Sequence, residues 1–162
     1  MEPESNNIRA RAPGLDDIDR RLLALLQVDA RMPNSALAAE VGIAASTCHG
    51  RIRRLVDMGV IRGFFADIDP AAVGRPLRAM VAVSLQSDAR GQIRRFVAEI
   101  GRKDEVIDVF FLSGADDYLL HVATADTEAL RKFIEMLNAR SEVAGTTTSL
   151  VFEHLRGSAP IF

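Results

Sequence analysis

Six positions within one stretch of the chain suit contact with a nucleic acid: Ser46, Thr47, His49, Gly50, Arg53 and Arg54. Short hydroxyls and an imidazole can bond base edges or phosphates, and arginines anchor phosphates without reading sequence. Gly50 inside this stretch is explained either by close approach of a DNA backbone or by drift; against alanine it costs up to about 1 kcal/mol in a helix. The interleaved residues Cys48, Ile52 and Leu55 recur at helical spacing and face the other way, toward a core. Cys48 and His49 are adjacent, so their side chains point about 100° apart and form no thiolate–imidazole pair. Cys48 therefore reads as a small core residue. Arg51 adjoins the buried stripe and is placed to pair with an acid of the preceding helix, Asp16 or Asp19. The adjacent carboxylates Asp116 and Asp117 follow Gly114 and precede Tyr118, and Asx-turn chemistry accounts for them. No Cys/His spacing makes a zinc site, and no cofactor or enzymatic activity is expected.

The elements that must position this surface are legible around it. Residues 34–41 and 45–58 form two short helical patterns meeting at Gly42, which supplies the positive φ of a tight turn. Ala36, Ala38 and Ala39 keep the first of these helices thin, and Gly59 ends the second. A helix from Leu15 to Val28 precedes them, capped by Asp16, with Ile18, Leu22, Leu25 and Leu26 on its inner stripe. Helix, glycine turn, helix with a basic outer face is the pattern of a helix-turn-helix. Ala44 at the start of the third helix is a poor N-cap, by about 0.5–2 kcal/mol. The helix C-terminal to it would put its first turns against base edges, with Arg53 and Arg54 as phosphate clamps.

Charge distribution agrees with that placement. The net charge of the 162 residues is -2, so no global basic field exists. Residues 1–63 carry nine Arg and eight Asp/Glu, for +1, whereas residues 64–162 carry eleven Arg/Lys and fourteen Asp/Glu, for -3. The single cysteine excludes an internal disulfide. The acidic, polar N-terminus does not resemble a signal peptide, and no apolar run approaches the roughly 18 residues that span a membrane. A cytoplasmic protein is expected. Residues 1–14 read as a disordered arm, either a solvated tail or one whose Arg9 and Arg11 touch phosphate.

Beyond the helix-turn-helix domain, 15–63, the β-rich run Val60–Ile68 leads into a segment holding Pro70, Gly74 and Pro76. Residues 64–76 are accordingly assigned as a β-strand and hinge linker. Residues 77–156 then alternate: strand 77–86, helix 89–101, strand 106–113, strand 117–124, a helix capped by Asp126, and strand 146–155. The order β-α-β-β-α-β predicts a ferredoxin-like sandwich, with both helices on one face of a four-stranded antiparallel sheet. Leu85, Phe111 and Leu120 are expected partly on the uncovered face, where self-association is the simplest cover. Residues 157–162 form a tail. The fold class is α+β, a winged-type helix-turn-helix domain followed by this sandwich.

Four segments together are similar to one family: L-D-D-I-D-R-R-L-L-A-L-L-Q-V-D-A-R at 15–31, L-A-A-E-V-G-I at 37–43, R-I-R-R-L-V-D-M-G-V-I-R-G-F at 51–64, and G-A-D-D-Y-L-L at 114–120. In order and spacing the chain resembles the leucine-responsive regulatory protein/AsnC, or feast/famine, transcriptional regulators from about Leu15 to Leu155. The resemblance implies an amino-terminal DNA-binding domain and a carboxy-terminal domain that dimerises through its sheets, often assembling four dimers. It also implies a small amino-acid effector held between C-terminal domains. On that basis the effector side is expected at Gly114, Asp116, Asp117 and Tyr118, with Thr146 and Thr148 lining the same pocket from a neighbour. Asp117 is then open to either role, turn-forming acceptor or partner of an effector's ammonium group. Ser149 stands where the family often has a bulky residue, so a leucine preference does not follow.

The expected function is sequence-specific regulation of transcription through duplex DNA, tuned by an amino acid and directed at amino-acid metabolism genes, within a nucleoid-associated cytoplasmic oligomer. The alternative is an architectural nucleoid protein with no specific effector. It would show steep salt dependence and little sequence preference.

Overall fold

The computed structural model describes residues 14–87, 93–155 and 157. The expected arm, the start of the 89–101 helix and most of the tail lie outside the described residues. The chain divides into two compact units, one containing the residues up to Ala66 and the other Asp67–Leu155.

In the first unit, α1 (Asp17–Val28), α2 (Asn34–Val41) and α3 (Ala45–Asp57) enclose a small core of Leu22, Leu37, Ala38, Val41 and Cys48. The Asp16 carboxylate accepts the Asp19 amide at 2.8 Å, and the Asp19 carboxylate accepts the Asp16 amide at 3.2 Å. This reciprocal box closes the start of α1 and sits where the helix dipole favours negative charge. At the other end of the motif, Gly42 has φ 74° and ψ 38°, and the Ile43 amide donates to the Ala38 carbonyl at 3.0 Å. The left-handed residue turns the chain between α2 and α3 without a Cβ clash.

The strand expected over Val60–Ile68, running into the 64–76 linker, is not formed. Residues 62–69 have no regular structure, and Phe64, Phe65 and Ile68 are 50%, 81% and 63% exposed. The composition is β-branched and aromatic, but a strand needs a partner ladder and a lone chain offers none here.

The second unit is a four-stranded antiparallel sheet in the order β2-β3-β1-β4, built from β1 (Leu77–Leu85), β2 (Val106–Phe111), β3 (Tyr118–Thr124) and β4 (Val143–Val151). The helices α4 (Ile93–Ile100) and α5 (Thr127–Asn138) supply Phe96, Ile100, Leu130, Phe133 and Leu137 to a core shared with Ala79, Val81, Val83, Leu120 and Val122. Asp126 accepts the Ala129 amide at 2.8 Å and starts α5, as its position predicted. β4 begins three residues before the expected Thr146 and stops at Val151, opposite Arg78 of β1.

The faces of the sheet follow register rather than apolarity. Leu120 is fully buried against the helices and Leu85 packs on the same core, so neither lies on the uncovered face. Phe111 is 71% exposed, yet it pairs with Tyr118 on the helix side, at the edge. The near-continuous apolar run of β3 hid the alternation from sequence. By register, the uncovered face carries Met80, Ala82, Phe110, Leu119, His121 and Ser149.

Candidate nucleic-acid interface and effector-side turn

α3 presents the surface expected of it. Ser46, Thr47, His49, Gly50 and Arg53 are exposed, while Cys48 and Leu55 are fully buried and Ile52 packs on the core. Burial pushes the Cys48 thiol above its ordinary range. Ala44 makes no side-chain cap, so the first-turn amides of α3 lack a capping side chain at the exposed end of the motif. The Asn34 amide group donates to the Ala45 carbonyl at 2.8 Å and ties the starts of α2 and α3 together.

A buried acid fixes the rotation of α3. Asp19 is fully buried and accepts from Arg51 Nη1 at 2.9 Å and from Arg54 Nη2. Arg51 also donates to Asp16 at 2.6 Å, so both acids proposed for it are used. The Asp19 amide and the Arg51 guanidinium hold the Asp16 carboxyl below the usual range. Arg53 and Arg54 therefore differ in geometry although they are neighbours in sequence. Arg54 lies three residues after Arg51 and is tied to Asp19 although its side chain is 47% exposed; Arg53, about 100° further round the helix, is exposed as well. The i, i+3 spacing of Arg51 and Arg54 and the D-x-x-D of α1 were the available signals for this clamp.

The turn from Gly114 to Tyr118 is docked on the end of β1. Asp117 accepts the Leu85 amide at 2.7 Å, and its own amide donates to the Val83 carbonyl at 3.0 Å. Asp116 accepts the Ser84 hydroxyl at 2.9 Å. Both carboxylates thus act as turn-docking acceptors within the chain. Tyr118 is buried between Phe96 and Phe111, with ring centroids at 5.8 and 5.3 Å. Burial, then the Asp117 charge, raises its phenol above the ordinary range.

Register brings part of the expected effector set together. Tyr118 and Thr146 both pair with Val83 and so share one row on the helix face. Thr148 lies one row along, opposite Val81, and is exposed. The Thr146 hydroxyl donates to Asn138 Oδ1 at 3.1 Å. Nothing in the sequence marks Asn138, Phe96 and Phe111 as neighbours of this set; only the tertiary packing places them beside Tyr118 and Thr146.

Residues 15–56 match the family model of the AsnC-type helix-turn-helix domain, and residues 78–161 match that of the Lrp/AsnC ligand binding domain. The HTH-type transcriptional regulator AldR of Mycobacterium tuberculosis is 67% identical over 93% of this chain and 85% of its own length. The DNA-binding transcriptional activator DecR of Escherichia coli K12 is 34% identical over 88% of this chain and 94% of its own. Among solved structures, that of a transcriptional regulator from Neisseria meningitidis in complex with L-Met superposes with a TM-score of 0.82, at 30% identity, covering 91% of this chain and 97% of that one. These relatives are regulators of transcription rather than enzymes.

Proposed function

The chain belongs to the Lrp/AsnC family of transcriptional regulators, and from that premise we propose that it binds duplex DNA as a symmetric homo-oligomer whose DNA affinity responds to a small amino acid. As a transcriptional regulator it carries a DNA-binding helix-turn-helix and a ligand-binding domain. The observation that carries the finer reading is the division of α3. Its inner stripe belongs to the fold, and Ser46, Thr47, His49, Gly50, Arg53 and the partly committed Arg54 make up the exposed surface. Short polar groups on the first turns suit base edges, and Arg53 suits a phosphate. Arg54, tied to Asp19 and still 47% exposed, positions α3 and keeps a face for a phosphate.

A surface with so few cations binds weakly in one copy, so multiple copies supply the affinity. Exposed Phe64, Phe65 and Ile68, together with the uncovered sheet face, support self-association into dimers and, from those, an octamer of four dimers. Twofold symmetry favours palindromic sites with half-sites about one helical turn apart. The Neisseria structure's L-Met supports an amino-acid effector for this chain, at a pocket bounded by Gly114, Asp116, Asp117, Tyr118, Thr146 and Thr148. With both Asp carboxylates turned to β1, their contribution is to shape the turn, and a neighbouring copy completes the pocket. The targets are amino-acid metabolism genes, and the setting is the cytoplasmic nucleoid.

Titrating DNA into the protein at several salt concentrations tests the interface. Arg53→Ala should lower the slope of log affinity against log salt by about 0.9 per site while leaving the fold intact. An unchanged slope would move the phosphate contact elsewhere. Equal affinity for operator and random DNA would favour the architectural role instead. Adding amino acids while following size by light scattering tests the sensor, which fails if none alters size or DNA affinity.

A further inference from the structure

We propose that the cleft between α5 and the loop joining α4 to β2 binds a short aliphatic carboxylate. The cleft has a volume of about 240 Å³ and is lined by Lys103, Glu105, Ala129, Lys132, Phe133 and Met136. The cleft is open to solvent, and its size suits a small metabolite rather than a nucleotide. Ala129, Phe133 and Met136 fall at i, i+4 and i+7 on α5 and make an apolar wall continuous with the core.

The cations of this cleft set it apart from the rest of the surface. Lys103 and Lys132 are the only lysines in a chain with eighteen arginines, and both line it. The neighbouring Arg131 is committed to Glu128 and Glu135 in bridging ion pairs. Lys132 is 69% exposed and pairs with Glu128 at 3.7 Å, a carboxylate it shares with Arg131. Among the described residues Lys103 has no ion-pair partner. Two flexible ammonium groups above an apolar wall match a carboxylate head with an aliphatic tail. Glu105 offsets one of the two ammonium charges and Glu128 lies 3.7 Å from the other, so the cleft suits a single carboxylate head and disfavours a dianion.

This cleft is separate from the effector-side turn. Glu105 precedes the first residue of β2, whereas Gly114 follows its last, so the two sites lie about 20 Å apart along a six-residue strand. An occupant of one leaves the other free. A carboxylate held by both lysines joins α5 to the start of β2, and the site stands independently of the DNA-binding reading.

The test is calorimetric titration of the full chain with isovalerate, with isovaleramide and inorganic phosphate as comparisons. Isovalerate should bind once per chain and isovaleramide should not. Lys103→Gln with Lys132→Gln should weaken binding about tenfold or more, the loss expected of about 1.4 kcal/mol in charge-assisted contacts. Glu105→Gln should tighten it, and Asp117→Asn should leave it unchanged. The proposal is overturned if isovalerate does not bind, if the double glutamine variant binds it equally well, if phosphate binds more tightly than isovalerate, or if Asp117→Asn abolishes binding. The lysines are surface groups, so circular dichroism of the variants should match that of the parent.

Discussion

Replacing Asp19 by asparagine should selectively unfold the amino-terminal unit. The side chain keeps its volume but loses its charge, at a position with no solvent exposure. Its two oxygens accept from Arg51, Arg54 and the Asp16 amide. An asparagine offers one acceptor oxygen and turns a donor toward a guanidinium. Each charge-assisted bond is worth about 1.5–3 kcal/mol net, and removing one partner of a fully buried pair costs about 3–5 kcal/mol. The arginines here are only partly buried, with Arg51 26% and Arg54 47% exposed, and Arg51 keeps Asp16. Rehydration therefore offsets part of the loss, and a cost of about 2–4 kcal/mol is expected. For a small unit that lowers the unfolding midpoint by about 10–30 °C. Scanning calorimetry of the full chain, with amide spectra recorded against temperature, should show the helical unit's transition falling while that of the sandwich stays in place. A double-mutant cycle with Arg54→Gln should give a coupling of at least about 0.5 kcal/mol. A destabilisation under about 0.5 kcal/mol, the level of an ordinary surface change, would refute the clamp.

Gly42→Ala places a Cβ on a residue at φ 74° and should destabilise the helical unit by about 1–2 kcal/mol, read from denaturant midpoints at constant slope. In the sandwich, Glu99 bonds Arg95 at 2.7 Å and Arg140 at 2.8 Å, which lowers its carboxyl to about 2. A depressed acid contributes stability that is present above its unfolded value, 4.5, and lost as pH falls toward 2. The stability difference between the parent and Glu99→Gln should thus be largest above pH 4.5 and vanish near pH 2, measured by thermal melts across that range. A difference that did not change with pH would mean that the contact acts by packing alone. Leu137→Ala, at a fully buried position under the sheet, should cost about 2–5 kcal/mol in the sandwich transition only.

Where a property depended on local spacing, the sequence was enough. The Asp16 cap, the turn at Gly42, the inward set Cys48, Ile52 and Leu55, and the β-α-β-β-α-β order are all local patterns, and all appear in the structure. Such features are set by 3.6-residue and two-residue periods and by single residues with special backbone freedom. Tertiary structure decided what depends on distant partners. Arg54 looked equivalent to Arg53 until α1 brought a buried carboxylate to one flank of α3. Leu120 and Leu85 could be assigned to a face only once the register with β1 and β4 was known. Asp116 and Asp117 found acceptors' work on β1, some thirty residues earlier in the chain. The strand expected over Val60–Ile68 had the right residues and no ladder to join. Composition and periodicity specify which surfaces an element can offer; contacts between elements far apart in sequence specify which of those surfaces remain available for function.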